Sequence, residues 1–511
     1  MTDTSTDVRL IRGKWVFTGD RTLINGAVAI QADKILAVDD WETLRDRYPA
    51  ASTVGSANHA VLPGLINAHH HSNGVPNSLM GIEDDLLEPW LYSRHAARPQ
   101  DAKLRTLLSA AYLLKTGVTS VVDVATIGES AEASEQTMQA CLGAYEQAGL
   151  RVAFTPGARH ESLLVHGKGQ DAAFMATLPA ALQQRVKALT PPEQALSAQD
   201  CLTVVSNAVQ QYQKHPLIDV WFGPPGPQWV GDELLVKMVE AANRLGTNVQ
   251  THALESFYEK EMGPKFYGKS VVAHLQSLGV LSPRFSLAHG VWVSEADIEI
   301  LLETGAAISH NPSSNLRLRA GVAPLNALLA EGVTVGLGMD GTTINDDEDM
   351  FSEMRLAARL QRSPQIEESV PTFEEIFQVA TTGGAKLLGK EHSLGKLAPG
   401  YQADVVLINC ECMSWPWIAP EADPFTVVMM RARSSDVETV IVNGNTVLEG
   451  GNPTGFDLSE VGQALAEQLG SSPQRADYQA LAKAVRPHLV QWYARWQTPA
   501  LDPFVAYNSR S

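Results

Sequence analysis

The spacing of apolar positions changes twice along the chain. In VRLIRGKWVFT (8–18) and GAVAIQADKILAVDD (26–40) apolar residues alternate, the period of short antiparallel strands. The same alternation returns in GKLAPGYQADVVLIN (395–409) and VETVIVNGNTVLEG (437–450), where Asn443-Gly444 supplies a tight turn. Between these ends lie eight strand candidates: 61–67, 119–124, 151–156, 218–224, 248–253, 285–290, 306–312 and 333–340. Segments such as LRTLLSAAYLLKTG (104–117) and DELLVKMVEAANRLG (232–246) separate them, with apolar residues three and four apart and a closing glycine. This pattern predicts an α/β chain, a (β/α)8 TIM barrel over 61–392. A small β-sandwich domain is expected from residues 1–60 and 393–451 together, and a helical C-terminal extension over 452–511.

Two segments exceed what a plain barrel needs. Residues 157–217 are expected to make a helical excursion over the catalytic mouth, and YQALAKAVRPHLVQWYARWQT (478–498) carries an apolar stripe suited to internal packing or a subunit contact. A doubly wound open sheet fits less well, because neither GxGxxG nor a Walker motif follows the early strands.

The formal charge of −18 argues against nucleic acid or anionic membrane as a general partner. No apolar run reaches membrane-spanning length, and MTDTSTDVRLIRGKW lacks a signal-peptide core. Cys141, Cys201, Cys410 and Cys412 form no CxxC unit, which suits reduced thiols and a cytoplasmic location.

The candidate chemistry gathers at strand ends. In PGLINAHHHSNG (63–74), residues i and i+2 of an extended chain face one side, so His69 and His71 can converge on one ion while His70 points away. His252, His289, His310 and Asp340 end strands five to eight, where a closed barrel turns side chains toward one centre. Imidazole and carboxylate donors favour Zn²⁺, and Fe²⁺ satisfies the same set. Glu255, just past strand five, suits a proton shuttle beside metal-activated water. HESLLVH (160–166) has the wrong spacing for HExxH, so His160, Glu161 and His166 read as lid or pocket residues.

With these residues in place, the chain resembles the amidohydrolase superfamily, in the branch of cytosine deaminase, S-adenosylhomocysteine deaminase and the triazine hydrolases. The resemblance rests on PGLINAHHH (63–71), THALE (251–255), LAHG (287–290), SHNPSSNLRLRAGVAPLNALLAEG (309–332), VGLGMDG (335–341) and DDEDMFSEMRLA (346–357). It implies His69, His71, His252 and Asp340 as ligands of one divalent ion, with Glu255, His289 and Asp340 catalytic. Strand four ends in WFGPPGPQW, which offers no carboxylated lysine for a second ion. The implied reaction is hydrolysis of an exocyclic C–N bond of an aminated heterocycle. An amide, urea or carbamate hydrolase and a dechlorinating or amine-releasing triazine-type hydrolase would use the same centre; a metal-binding scaffold barrel is the non-enzymatic alternative. Trp90, His166, Gln228, Trp229, His310 and Asn311 are the candidate contacts to a small-molecule substrate, and a homo-oligomer, with a dimer favoured, is implied. Two departures bear on substrate, and both argue against a nucleoside deaminase of the usual type. Leu79-Met80-Gly81 places methionine where adenosylhomocysteine-type relatives carry an arginine for a carboxylate, and strand four lacks the histidine many deaminases place there.

Overall fold

The computed structural model describes residues 8–128, 130–189, 196–362, 366, 370–471 and 476–496. Eight parallel strands form the barrel. Leu65–His70, Val118–Thr126, Arg151–Gly157 and Ile218–Val220 pair in one run, and Val249–Ala253, Phe285–His289, Ala307–His310 and Val335–Leu337 in another. The runs close on each other at both seams. Phe222 bridges Val249 in parallel, and the N–H groups of Met339 and Asp340 donate to the His69 carbonyl at 3.1 and 3.0 Å. Asn67 Oδ1 takes a further bond from Met339 N at 3.1 Å, so strand one is stitched to the segment that carries Asp340. Gly338 is required there: a Cβ would lie 2.1 Å from Asn311 Oδ1 and 3.0 Å from His69 Cβ.

The expected strand 61–67 is two strands. His59–Pro63 belongs to the small domain and Leu65–His70 to the barrel, and the chain changes sheets at Gly64. Pro63 has no N–H to continue the ladder, and a Cβ on Gly64 would sit 2.0 Å from Thr119 Oγ1. Alternation alone runs unbroken through this point, which is why the sequence pattern merges the two.

The small domain is a nine-stranded sheet drawn from both chain ends. Strands from Arg9 to Pro63 join Val405–Asn409, Val437–Val442, Asn445–Glu449 and Asn452–Pro453. Ile11, Val28, Ile35, Val405 and Ile441, drawn from both chain ends, are buried in one cluster. Val405 pairs with Pro63, which links the distant halves directly.

Helices Gln170–Thr177 and Ala180–Leu189 form the excursion, whereas Ala198–Tyr212 packs between Ala131–Ala148 and Asp232–Leu245 as an ordinary outer helix. The predicted stretch through 190–195 lies outside the described residues, as do 472–475 and 497–511 of the extension. Within the extension, Leu458–Ser471 lies on helix Ala102–Lys115. Ala476–Tyr493 lies against Leu87–Ser93, the short helix bearing Trp90, and against the excursion. Its stripe of Leu481, Val485, Leu489 and Tyr493 is buried within the chain. The C-terminal helix therefore helps to wall the mouth of the barrel. Among the described residues, no helix is long and apolar enough to cross a membrane.

Candidate metal centre and active-site cavity

Four imidazoles and one carboxylate meet at the C-terminal end of the barrel. His69 Nε2 and His71 Nε2 each lie 3.2 Å from Asp340 Oδ1, and His71 Nε2 lies 3.2 Å from His252 Nε2. Donor atoms of His69, His252, His289 and Asp340 all fall within 4.8 Å of one another. His69 and His71 project to the same side of their strand, as the alternation requires. Buried His70 turns the other way, its Nε2 3.6 Å from Glu348 Oε2.

Each inward imidazole is oriented from behind. His69 Nδ1 faces Gln250 Oε1 at 2.8 Å, His71 Nδ1 the Val124 carbonyl at 2.7 Å, His252 Nδ1 the Pro225 carbonyl at 2.7 Å, and His289 Nδ1 Asn315 Oδ1 at 2.9 Å. All four partners are acceptors, so each Nδ1 carries the proton and each Nε2 turns a lone pair to the centre, the arrangement that supports metal-ligating histidines. Among the described residues, no hydrogen-bond partner satisfies His69 Nε2 or His289 Nε2, although both are buried. Orphaned lone pairs of this kind are costly unless something binds them. The residues present fit a borderline divalent cation.

The electrostatics agree. Burial and the neighbouring histidines hold His252 well below the usual imidazole range, and burial lowers His289 to about 4, so both rings are neutral. Burial alone would raise Asp340, but the close approach of the His69 and His71 imidazoles outweighs it and holds the carboxyl well below the usual carboxylate range. Ser314 Oγ donates to its other oxygen at 2.5 Å. Glu255 is the opposite case. Burial, then the charges of Asp340, Glu259 and Glu88, hold its carboxyl well above the usual range, while its Oε2 lies 3.7 Å from His289 Nε2. Two carboxyl groups in one site are thus pushed apart in acidity, one toward charge and one toward holding a proton. The backbone marks the same place: Leu254, His289 and Asp340 all have positive φ (53°, 77° and 57°), a conformation that costs non-glycine residues energy and clusters at functional sites.

A cavity of about 600 Å³ opens over this centre, with His71, His252, Glu255 and Asp340 on its wall. Of the six candidate substrate contacts, Trp90 and Trp229 line it. The other four are not among its lining residues. His166 sits behind Trp229, ring to ring at 6.3 Å, with Nε2 3.1 Å from Glu88 Oε1. Gln228 is buried beside it. His310 and Asn311 are buried at the end of strand seven, below Gly338. Trp90 and Trp229 thus face the cavity while His166 stands one layer back.

Sequence reasoning missed Gln250, Ser314 and Asn315, which orient the centre. All three lie inside or beside the quoted motifs, and their polarity at buried strand and helix starts was the available signal. It also missed Arg94 and Arg159, both on the cavity wall.

A (β/α)8 barrel whose strand ends converge histidines, an aspartate and a proton-holding glutamate defines a metal-dependent hydrolase. The chain belongs to the amidohydrolase family, whose pattern matches residues 60–447; residues 26–51 also match an imidazolonepropionase-like composite domain of bacteria. It is similar to a 5-methylthioadenosine/S-adenosylhomocysteine deaminase of Desulfitobacterium hafniense, at 30% identity over 85% of this chain and 91% of that one. A 5′-deoxyadenosine deaminase of Methanosarcina barkeri is 30% identical, over 90% of this chain and 98% of that one. Among solved structures, a zinc-bound adenosine deaminase from Xanthomonas campestris superposes with a TM-score of 0.74 at 25% identity, covering 90% and 97% of the two chains.

Proposed function

We propose that this protein is a deaminase with one zinc ion per subunit, replacing the exocyclic amino group of an adenosine-like heterocycle by oxygen and releasing ammonia. One observation carries the reading: Glu255, a buried carboxyl that favours its protonated form, lies beside the imidazole–Asp340 cluster at the wall of a cavity large enough for a nucleoside.

His69, His71, His252 and Asp340 would hold the ion, with His289 facing the same centre. When bound, zinc supplies Lewis acidity that brings water ionisation near neutrality. With its proton on Nδ1, His289 offers water an acceptor at Nε2; that tautomer suits orienting the attacking water better than donating to a developing oxyanion. Asp340, fixed by Ser314, accepts a proton from that water. Glu255 delivers a proton to the ring nitrogen as oxygen adds to the amino-bearing carbon; on collapse the amino group takes the proton held by Asp340 and leaves as ammonia, and the hydroxyl proton of the adduct returns to Glu255 as the carbonyl forms. Trp90 and Trp229 give the ring apolar surface. Gln228, His166, His310 and Asn311 act from behind the wall, through its lining residues.

The reading extends to a homodimer working in the cytoplasm; for the location, the four cysteines are unpaired, as suits a reducing compartment. The test is metal analysis followed by ammonia release from adenosine-type, pterin, pyrimidine and triazine substrates. Glu255→Gln is expected to keep its zinc and lose at least a hundredfold in kcat. Near-wild-type turnover in that zinc-replete variant, or arylamine release from ureas with no ring deamination, overturns the proposal.

A further inference from the structure

Asp340 and His289 take their orientation from one short turn. Helix Pro312–Arg317 follows strand seven directly, and its consecutive residues Ser313, Ser314 and Asn315 are all buried. Ser314 Oγ donates to Asp340, and His289 Nδ1 donates to Asn315 Oδ1. Ser313 is bonded instead to a carboxyl forty residues on: its N–H donates to Glu353 Oε1 at 2.8 Å and its Oγ to Glu353 Oε2 at 2.5 Å. Asn311, the residue before the helix, makes no capping bond through its side chain, and Pro312 has no N–H to give. The first free N–H of the helix is therefore that of Ser313, and Glu353 satisfies it from outside.

Glu353 stands on a helix that is anchored elsewhere. Asp349 caps helix Met350–Leu360 by accepting from Phe351 N and Ser352 N. Its other oxygen takes Ser434 N at 3.0 Å, from the segment entering small-domain strand Val437–Val442. Glu353 itself is 1% exposed, and burial raises its carboxyl to about 8 although both bonds from Ser313 oppose that shift. An apolar side chain would fill the position without the cost of burying a carboxyl. What the carboxyl adds is a two-point attachment for the turn. Successive helical residues point about 100° apart, so a shift of this turn would take Ser314 off Asp340 and Asn315 off His289 together. Asp340 and His289 both have positive φ, a conformation that persists only where the surroundings over-determine it.

We propose that Glu353 is a positioning residue of the active centre: by clamping Ser313 it holds Ser314 and Asn315 in place on Asp340 and His289. Glu353 touches neither the metal ligands nor the cavity and acts only through this turn. Its effect on turnover rests on the deaminase reading; its effect on metal affinity, through Asp340, does not.

The test compares Glu353→Ala, Glu353→Gln, Ser314→Ala and the double variant Glu353→Ala/Ser314→Ala in the full chain. Zinc affinity of the metal-stripped protein is measured by chelator competition, and kcat and KM at saturating zinc by ammonia release from adenosine and methylthioadenosine. Glu353→Ala is expected to bind zinc about tenfold or more weakly and to lose about tenfold or more in kcat, the size of effect that follows loss of a ligand's outer support. Its KM is expected to stay within about threefold of wild type, since no substrate contact is removed. Glu353→Gln still offers Ser313 an acceptor and a polar partner for its Oγ, and is expected to stay within about threefold of wild type in all three quantities. Because Glu353 acts through the turn that carries Ser314, the double variant is expected to fall about threefold or more short of the product of the two single losses. Should Glu353→Ala fail to fold by circular dichroism, Glu353→Asp, one methylene too short to reach both Ser313 groups, replaces it in every comparison. Zinc affinity or kcat of the folded variant within threefold of wild type overturns the clamp. So does an equal loss in Glu353→Gln, or a double variant that shows the full product. Wild-type protein that binds zinc but releases no ammonia overturns the deaminase reading instead, and zinc affinity alone then decides the clamp.

Discussion

His70 and Glu353 show how far a single side chain can be separated from its neighbours' chemistry. Flanked by two inward ligands, His70 faces Glu348 instead, and burial, then the nearby His71, lower it to about 3. It is neutral packing at physiological pH. His70→Ala is expected to keep wild-type zinc stoichiometry and His71→Ala to lose it, measured by atomic emission on dialysed protein. Glu353 accepts from Ser313 N at 2.8 Å and Ser313 Oγ at 2.5 Å, while burial raises its pKa to about 8. Its unfolded-state value is about 4.3. Between those values the folded chain binds more protons than the unfolded one, so this group makes stability fall as pH rises from about 4.3 to 8. Glu353→Gln is expected to flatten the pH dependence of the thermal midpoint across that window.

At the scale of elements, the helix Ala476–Tyr493 is the part that a barrel does not need. Tyr493 is buried, its ring 4.5 Å from that of Tyr258 and 5.2 Å from that of Trp496, and its hydroxyl accepts from His166 N at 2.9 Å. His166 in turn faces Glu88, whose Oε1 also takes the hydroxyl of Ser256, the residue after Glu255. The extension thus reaches the acid–base loop through three side chains. Tyr493→Ala should destabilise by about 3 kcal/mol, as for other buried aromatics, and Tyr493→Phe by about 1 kcal/mol for one hydrogen bond. Denaturant titration checks both.

Over the whole molecule, the barrel and the small sheet are tied by a buried ion pair. Arg151 on strand three reaches Asp404 at 3.0 Å, and Asp404 also accepts from Asn443 N at 2.8 Å, at the turn between two small-domain strands. Removing one member leaves the other buried and unpaired. Asp404→Ala is therefore expected to cost about 3–5 kcal/mol, read as a lowered unfolding midpoint with the metal site still filled at low temperature.

The eight-strand alternation, the HxH spacing and the ordered strand-end residues were all legible in the chain, because strand period and side-chain direction are local properties. Local pattern also determined that both chain ends are β-rich. Tertiary structure decided what locality cannot carry. It split 61–67 at Gly64, because the close approach of Thr119 is set by another strand. It put His166 behind Trp229 and left His310 and Asn311 buried off the cavity wall, because depth depends on what packs above. It brought Arg94 and Arg159 to one wall from segments 65 residues apart in sequence, and no periodicity in either segment encodes that meeting. Which residues could do chemistry was written in their order; which of them face the same empty space was decided by closing the barrel.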